Sequence, residues 1–154
     1  MWTKSDYQAL IDTVTDHHLL SGLFDRVNQH ESKKAPGNGL TADIYLEDLL
    51  PYPPGSGMQK TSGIVIVASR IMFDMLIEPL DNLDPMMFEA ANDLIGRIHG
   101  DFTLGGLVRN VDLLGASGQA LRAESGHINI DSKMLRAVEV HIPCIVNDLW
   151  DQVA

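Results

Sequence analysis

The run from Gly63 to Ile77 constrains this chain more than any other stretch. Its residues are β-branched or long apolar, and beyond Ala68 they alternate, with Ile71, Phe73, Met75 and Ile77 set against Arg70, Met72 and Asp74. That pattern reads as one long strand. About 14 residues at ~3.3 Å each would reach roughly 46 Å, whereas a chain of 154 residues folds into a globule on the order of 38 Å across. Either the strand bends or its end projects.

The segment before it supplies a partner. Leu40, Ala42, Ile44 and Leu46 alternate with Thr41, Asp43, Tyr45 and Glu47 as in a half-buried strand. The run Pro51-Tyr52-Pro53-Pro54-Gly55-Ser56-Gly57 then leaves the sheet, because prolines donate no ladder hydrogen bonds and glycines are costly to order. The result is a long hairpin over residues 40–77, projecting if it does not bend. Upstream, Tyr7, Leu10, Ile11 and Val14 lie at helical spacing from a Ser5 cap, predicting a helix to about His18. Ser21-Gly22 breaks it, Leu23 to Asn28 reads as a short strand anchored by Phe24 and Val27, and Gln29 to Gly39 is a polar loop.

Downstream, Asp84-Pro85 reads as an N-cap acid followed by proline at the first helical position, and Met87, Ala91, Leu94, Ile95 and Ile98 form a stripe that stops at Gly100. After the turn Asp101 to Gly106, Val108 to Leu114 is predicted as a strand. Leu121 to Ile130 then pairs with Met134 to Val146 across a tight turn at Asp131-Ser132. Val138, Val140 and Ile142 face one way and Glu139 and His141 the other, so one sheet face is wet or meets a partner. The expected fold is α+β in one domain, residues 1–154. A mixed, mostly antiparallel sheet carries two helices on one face, in the order α-β-β-β-α-β-β-β.

Composition and motifs exclude more than they assign. A net charge of -10 and a pI near 4.8 oppose tight binding to nucleic-acid phosphates, which needs clustered Lys and Arg. The charge serves solubility, or lets DNA slide past an acidic surface without sticking. The longest apolar stretch, Gly63 to Ala68, is far short of the roughly 20 residues that span a bilayer, and the N-terminus carries no basic-then-apolar signal pattern, so no membrane association is expected and the chain is cytosolic when made. Cys144 is the only cysteine, read as a small buried apolar residue. His17 and His18 point about 100° apart on a helix, and His30, His99, His127 and His141 sit singly on other elements, so no metal is expected. Gly105-Gly106 lacks the lysine and helix of a phosphate loop, and Gly55-Ser56-Gly57 is too short for a nucleophile elbow. Carboxylates are plentiful, but nothing in the sequence shows two converging in a cleft. No catalytic residue and no cofactor is expected, and the chain reads as an assembling protein in place of an enzyme.

An ordered set of segments resembles a known family. The most distinctive is the run Gly100-Asp101-Phe102-Thr103-Leu104-Gly105-Gly106-Leu107-Val108-Arg109-Asn110-Val111-Asp112, followed by Leu113-Leu114-Gly115. It is joined by the closing meander Ala123 to Ile130 and Met134 to Ile142, by Asn147-Asp148-Leu149-Trp150, and by the opening Ser5 to His18 with Leu23-Phe24-Asp25-Arg26-Val27. Nearly end to end, these resemble the tail terminator proteins of bacteriophages with long non-contractile tails, especially those of actinobacterial hosts. The sequence departs from that pattern in having Asp131-Ser132 where the tight turn favours Asp-Gly, and in the strongly apolar Ile64-Val65-Ile66-Val67.

The resemblance implies a virion protein of the tail-neck junction. It would form a ring, commonly of six copies, that docks on the last ring of tail-tube protein, stops polymerisation and offers a surface to the head-side connector. Double-stranded DNA would pass through the lumen without tight binding. Under it, residues Met58 to Leu76 and Ile44 to Leu50 contribute to subunit packing. The turn Asp101 to Asn110, with Asp101, Phe102, Thr103 and Leu104, is a docking loop or else only local geometry for leaving a helix. Arg26, Arg70, Arg97 and Arg109 are the candidates for intersubunit pairs, because a guanidinium binds carboxylates bidentately. Two rivals stay open: another neck or head-completion protein, and a small ligand-binding or enzymatic domain with its site beneath the Pro51 to Gly57 loop.

Overall fold

The structure is a computed structural model that describes residues 1–153. Its centre is an antiparallel pair, β3 (Lys60–Asp74) and β6 (Lys133–Asp151), running from Lys60 opposite Asp151 to Asp74 opposite Leu135 with one register shift between Thr61 and Gly63. On the far side of β3 lies β2 (Thr41–Pro51), antiparallel, and then β1 (Arg26–Asn28), parallel to the start of β2. The far side of β6 is shared by β4 (Asn110–Val111) and β5 (Arg122–Ile130), both antiparallel. With α1 (Lys4–Ser21) and α2 (Leu83–His99) the order is α-β-β-β-α-β-β-β, an α+β fold with a six-stranded, mostly antiparallel sheet.

Alternation along the strands builds the main core on one face. Ala42 and Ile44 of β2, Val65, Val67 and Ile71 of β3, and Val138, Val140, Ile142, Cys144 and Val146 of β6 pack against Leu10, Ile11 and Val14 of α1 and Met87, Leu94 and Ile98 of α2. Thr3 and Asp6 fix the start of α1, where the Thr3 amide donates to the Asp6 carboxylate at 2.7 Å. Gly22 ends the helix in the left-handed region, φ +70°. The turn at Asp131-Ser132 holds both residues at positive φ, 53° and 63°, as a two-residue hairpin loop requires.

One polar pair sits inside this core. The His18 ring is buried between α1 and β3, its Nδ1 2.7 Å from the Val14 carbonyl and its Nε2 2.6 Å from the Ser69 hydroxyl. A neutral ring with the proton on Nδ1 satisfies both contacts, donating to Val14 and accepting from Ser69. Burial disfavours the charged ring and pushes its pKa down to about 4. Cys144 is likewise buried, and its thiol is pushed up to about 12, which leaves it an apolar core residue.

Several boundaries differ from the sequence reading. The 40–77 hairpin does not stand free, because β6 flanks β3 along its whole length. The strand also begins earlier and ends at Asp74. Gly63 marks an irregularity in its pairing, where a Cβ would lie 2.5 Å from the Leu149 side chain. Asp84 does not cap α2. The helix starts at Leu83 after a 3-10 turn at Leu80–Asn82, with Pro85 in its first turn where no amide is needed, and Asp84 instead pairs with Arg136 of β6 at 3.0 Å.

The strand expected over Val108 to Leu114 shrinks to Asn110–Val111. The chain pairs with β6 only opposite Cys144 and Ile145 and leaves that edge at Asp112, whose amide donates to the Pro143 carbonyl. The chain then turns on Asp112, 4% exposed, whose carboxylate accepts from the amides of Gly115, Ala116 and Ser117 and from the Ser117 hydroxyl. Burial would raise its pKa, but these donors outweigh burial and hold it below the usual value.

Two outcomes follow for stability. A histidine neutralised by folding makes the unfolded chain the better proton binder between its folded and free values. Its contribution is therefore whole above pH 6.5 and is lost as the pH falls toward 4, about 3 kcal/mol over that window. Urea unfolding from pH 4 to 7 is expected to show that slope in the native chain and to lose it in His18→Gln. Asp112→Ala, which strands three amides, is expected to lower the unfolding free energy at pH 7 by roughly 3 kcal/mol in the same assay.

Candidate interaction surfaces

The turn after α2 is built before it is displayed. Asp101 accepts from the Gly105 amide and lies 2.8 Å from His17 of α1, so it ties the turn to the first helix. Burial opposes its charge, but the Gly105 and His17 contacts outweigh burial and hold its pKa below the usual value. Thr103 accepts the Val108 amide at its carbonyl. Leu104, at φ +49°, is fully buried and belongs to the core, which removes it from the surface contacts expected of this loop. Phe102, 50% exposed, and Leu107 remain on the surface.

The four arginines divide. Arg70 is committed inside the chain: its Nε donates to Glu139 at 2.9 Å, its Nη1 to Glu31 at 3.0 Å, and its guanidinium lies 5.3 Å from the centre of the Tyr45 ring. Arg97 pairs with Asp93 one turn back and reaches the Leu20 carbonyl of α1. The intersubunit role expected of these two therefore competes with partners already in hand. Arg26, exposed at the start of β1, and Arg109, exposed above Tyr52, have no ion pair among the described residues. Arg136 was not singled out by the sequence, yet it joins α2 to the β5–β6 hairpin through Asp84 and the Gly126 carbonyl.

Both sides of the sheet are open. β1 pairs only with Thr41 to Asp43, so the outer edge of β2 from Ile44 to Pro51 has no strand partner. β5 pairs only with β6, and its outer edge is free along its length. Each side also carries apolar surface. Beside β2, Leu46 and Leu49, nearly half exposed, border a groove with Trp2, Tyr7 and Trp150. Beside β5, Phe88 of α2, 68% exposed, borders a groove with Met87, Ala91, Ala123 and Val138. The two sides differ in sequence, shape and chemistry.

The sheet face away from the helices holds a polar cluster. Ile64, Ile66 and Ile145 form an apolar patch under Leu50 and Tyr52, and Met72, Ile130, Leu135 and Ala137 another. His141 lies on this face and is buried, with Nδ1 2.7 Å from Glu47 and Nε2 3.4 Å from Glu124. Next to it stand Glu139 and the Arg70–Glu31 pair. The face expected to be wet is thus polar at its middle, apolar at both ends, and largely covered by its own chain.

The Pro51 to Gly57 loop is satisfied internally. The Ser56 hydroxyl donates to the Tyr52 carbonyl and accepts the Ser62 amide, and the Ser62 hydroxyl donates to the Gly55 carbonyl. The cleft beside it is lined by residues 54–60 and Asp148, with no acid–base pair converging on Ser56. Among the described residues, no helix is long and apolar enough to cross a membrane. Comparison of the chain with protein-family models and with curated proteins finds no match.

Proposed function

We propose that this chain is a structural virion protein, a tail terminator, that closes into a ring on the head-proximal end of a phage tail tube, stops its growth and presents the opposite surface to the head connector. The observation that carries the assembly step is the pair of unlike open sides: the β2 edge with Leu46 and Leu49, and the β5 edge with Phe88. Two different patches on opposite sides of one subunit favour a head-to-tail contact, which closes into a ring when the rotation per step divides a full turn. A self-complementary dimer would leave one of the two patches uncovered. The ordered motifs from Gly100 to Trp150 supply the rest of the reading, including six copies per ring and the tube as partner. The acidic charge suits a lumen through which DNA slides without binding.

Mixing the purified chain with tail-tube protein tests this directly. Electron micrographs are expected to show a ring at one end of every tube and tubes shorter than those grown without it. Bare ends and unchecked growth would overturn the reading. The head-to-tail contact has its own test at Leu49 and Phe88, which are exposed, so that a charge there is expected to cost little in folding. Leu49→Glu and Phe88→Glu are each expected to abolish capping, since every subunit in a ring uses both sides. A contact made through one self-complementary patch would be lost in only one of the two variants.

A further inference from the structure

The polar cluster on the helix-free face has the parts of a metal centre. Glu47, Glu139 and His141 each place one donor atom so that all three lie within 4.8 Å of one another. First-row divalent ions bind such nitrogen and oxygen donors at about 2.0–2.2 Å, which sets paired donors roughly 3–4 Å apart, within reach of small side-chain movements. The set mixes one imidazole and two carboxylates, donors that suit zinc and neighbouring transition ions better than magnesium or calcium.

Three features make this more than a group of surface acids. His141 is over nine-tenths buried, and its Nε2 has no hydrogen-bond partner, although Glu124 lies 3.4 Å away. A buried ring nitrogen left in that state is destabilising. A histidine that binds metal through one nitrogen commonly turns the other toward a carboxylate, and Glu124 is placed for that role. Glu47 is the extra residue of a β-bulge, between Leu46 opposite Val67 and Asp48 opposite Ile66. From the bulge its carboxylate reaches His141 of β6, which stands opposite Ala68 of β3. Charge points the same way. Four carboxylates, Glu31, Glu47, Glu124 and Glu139, stand around His141 with only two guanidinium groups, Arg70 and Arg122, among them.

We propose that Glu47, Glu139 and His141 bind a divalent transition-metal ion, zinc being the first choice, with Glu124 orienting the imidazole from the other side. The ion takes the place of the proton between His141 Nδ1 and Glu47. It clamps β2 to β6 across β3, so its role is to stiffen the sheet, and the proposal stands whether or not the chain forms a ring.

Zinc ion alone, titrated into the chelator-treated full chain and followed by calorimetry at pH 7.5, is expected to bind one ion per chain. Cobalt substitution should give visible absorption bands of a nitrogen–oxygen site. His141→Gln and Glu139→Gln are each expected to weaken zinc binding at least 10-fold. Glu47 is one-third exposed, so Glu47→Gln is expected to keep its fold and to weaken binding to the same extent, and His30→Gln, on an exposed loop residue, should leave it unchanged. Melting temperature should rise with zinc in the native chain and not in Glu47→Gln. Absence of one-to-one binding overturns the proposal, as does binding that His30→Gln weakens and Glu47→Gln does not.

Discussion

The antiparallel pairing of β3 with β6 is the constraint on which the rest of the molecule depends. β3 has strand neighbours on both edges and packed side chains over both faces, so its residues from Ser62 to Ser69 are buried and the sequence there is nearly continuous in apolar residues instead of alternating. The helices cover one face with a single apolar core. On the other face the strand has only its own chain to cover it: Leu50 and Tyr52 at one end, the Glu47–His141 cluster at the middle, and Ala35 and Ile128 at the other. The length of β6 also dictates what happens at its outer edge. β5 occupies the half nearer the hairpin turn, β4 takes two residues of the remainder, and the chain between them folds around the Asp112 carboxylate.

Elements governed by local pattern were legible in the sequence, and elements governed by a distant partner were not. The stripe from Met87 to Ile98 gives α2, the alternation from Leu40 to Glu47 gives β2, and the two apolar runs about Asp131-Ser132 give the β5–β6 hairpin. The single parallel pair, β1 on β2, leaves no local mark, because three residues carry too little periodicity to show a direction. Val108 to Leu114 has the composition of a strand, but the chain leaves the β6 edge after Val111 to wrap the amides of Gly115, Ala116 and Ser117 around the Asp112 carboxylate. Leu104 looks like a loop residue between two turns, yet its positive φ folds it back into the core. The acidic histidine cluster was invisible for a related reason: Glu47 and His141 stand 94 positions apart, and each reads as an ordinary polar residue on the wet side of a strand.

The edge of β2 shows how a protein with two open sides can avoid unlimited sheet growth. A free strand edge invites backbone pairing with any other strand, and such pairing has no natural end. Here the bulge at Leu46–Asp48, the charges of Glu47 and Asp48, and Pro51 at the strand's end all oppose continuous pairing along that edge. In the proposed ring, contact on this side would fall to the side chains of Leu46, Leu49, Trp2 and Trp150, which border one groove and whose fit would depend on a particular neighbour and angle. Such a contact can close at a fixed number of subunits where strand addition could not. The same bulge brings Glu47 to His141, so a metal ion held there would fix the geometry of the edge that a neighbouring subunit would meet in the proposed ring. The proposed metal site and the proposed assembly edge would then be one structural device, joined by a single residue inserted into β2.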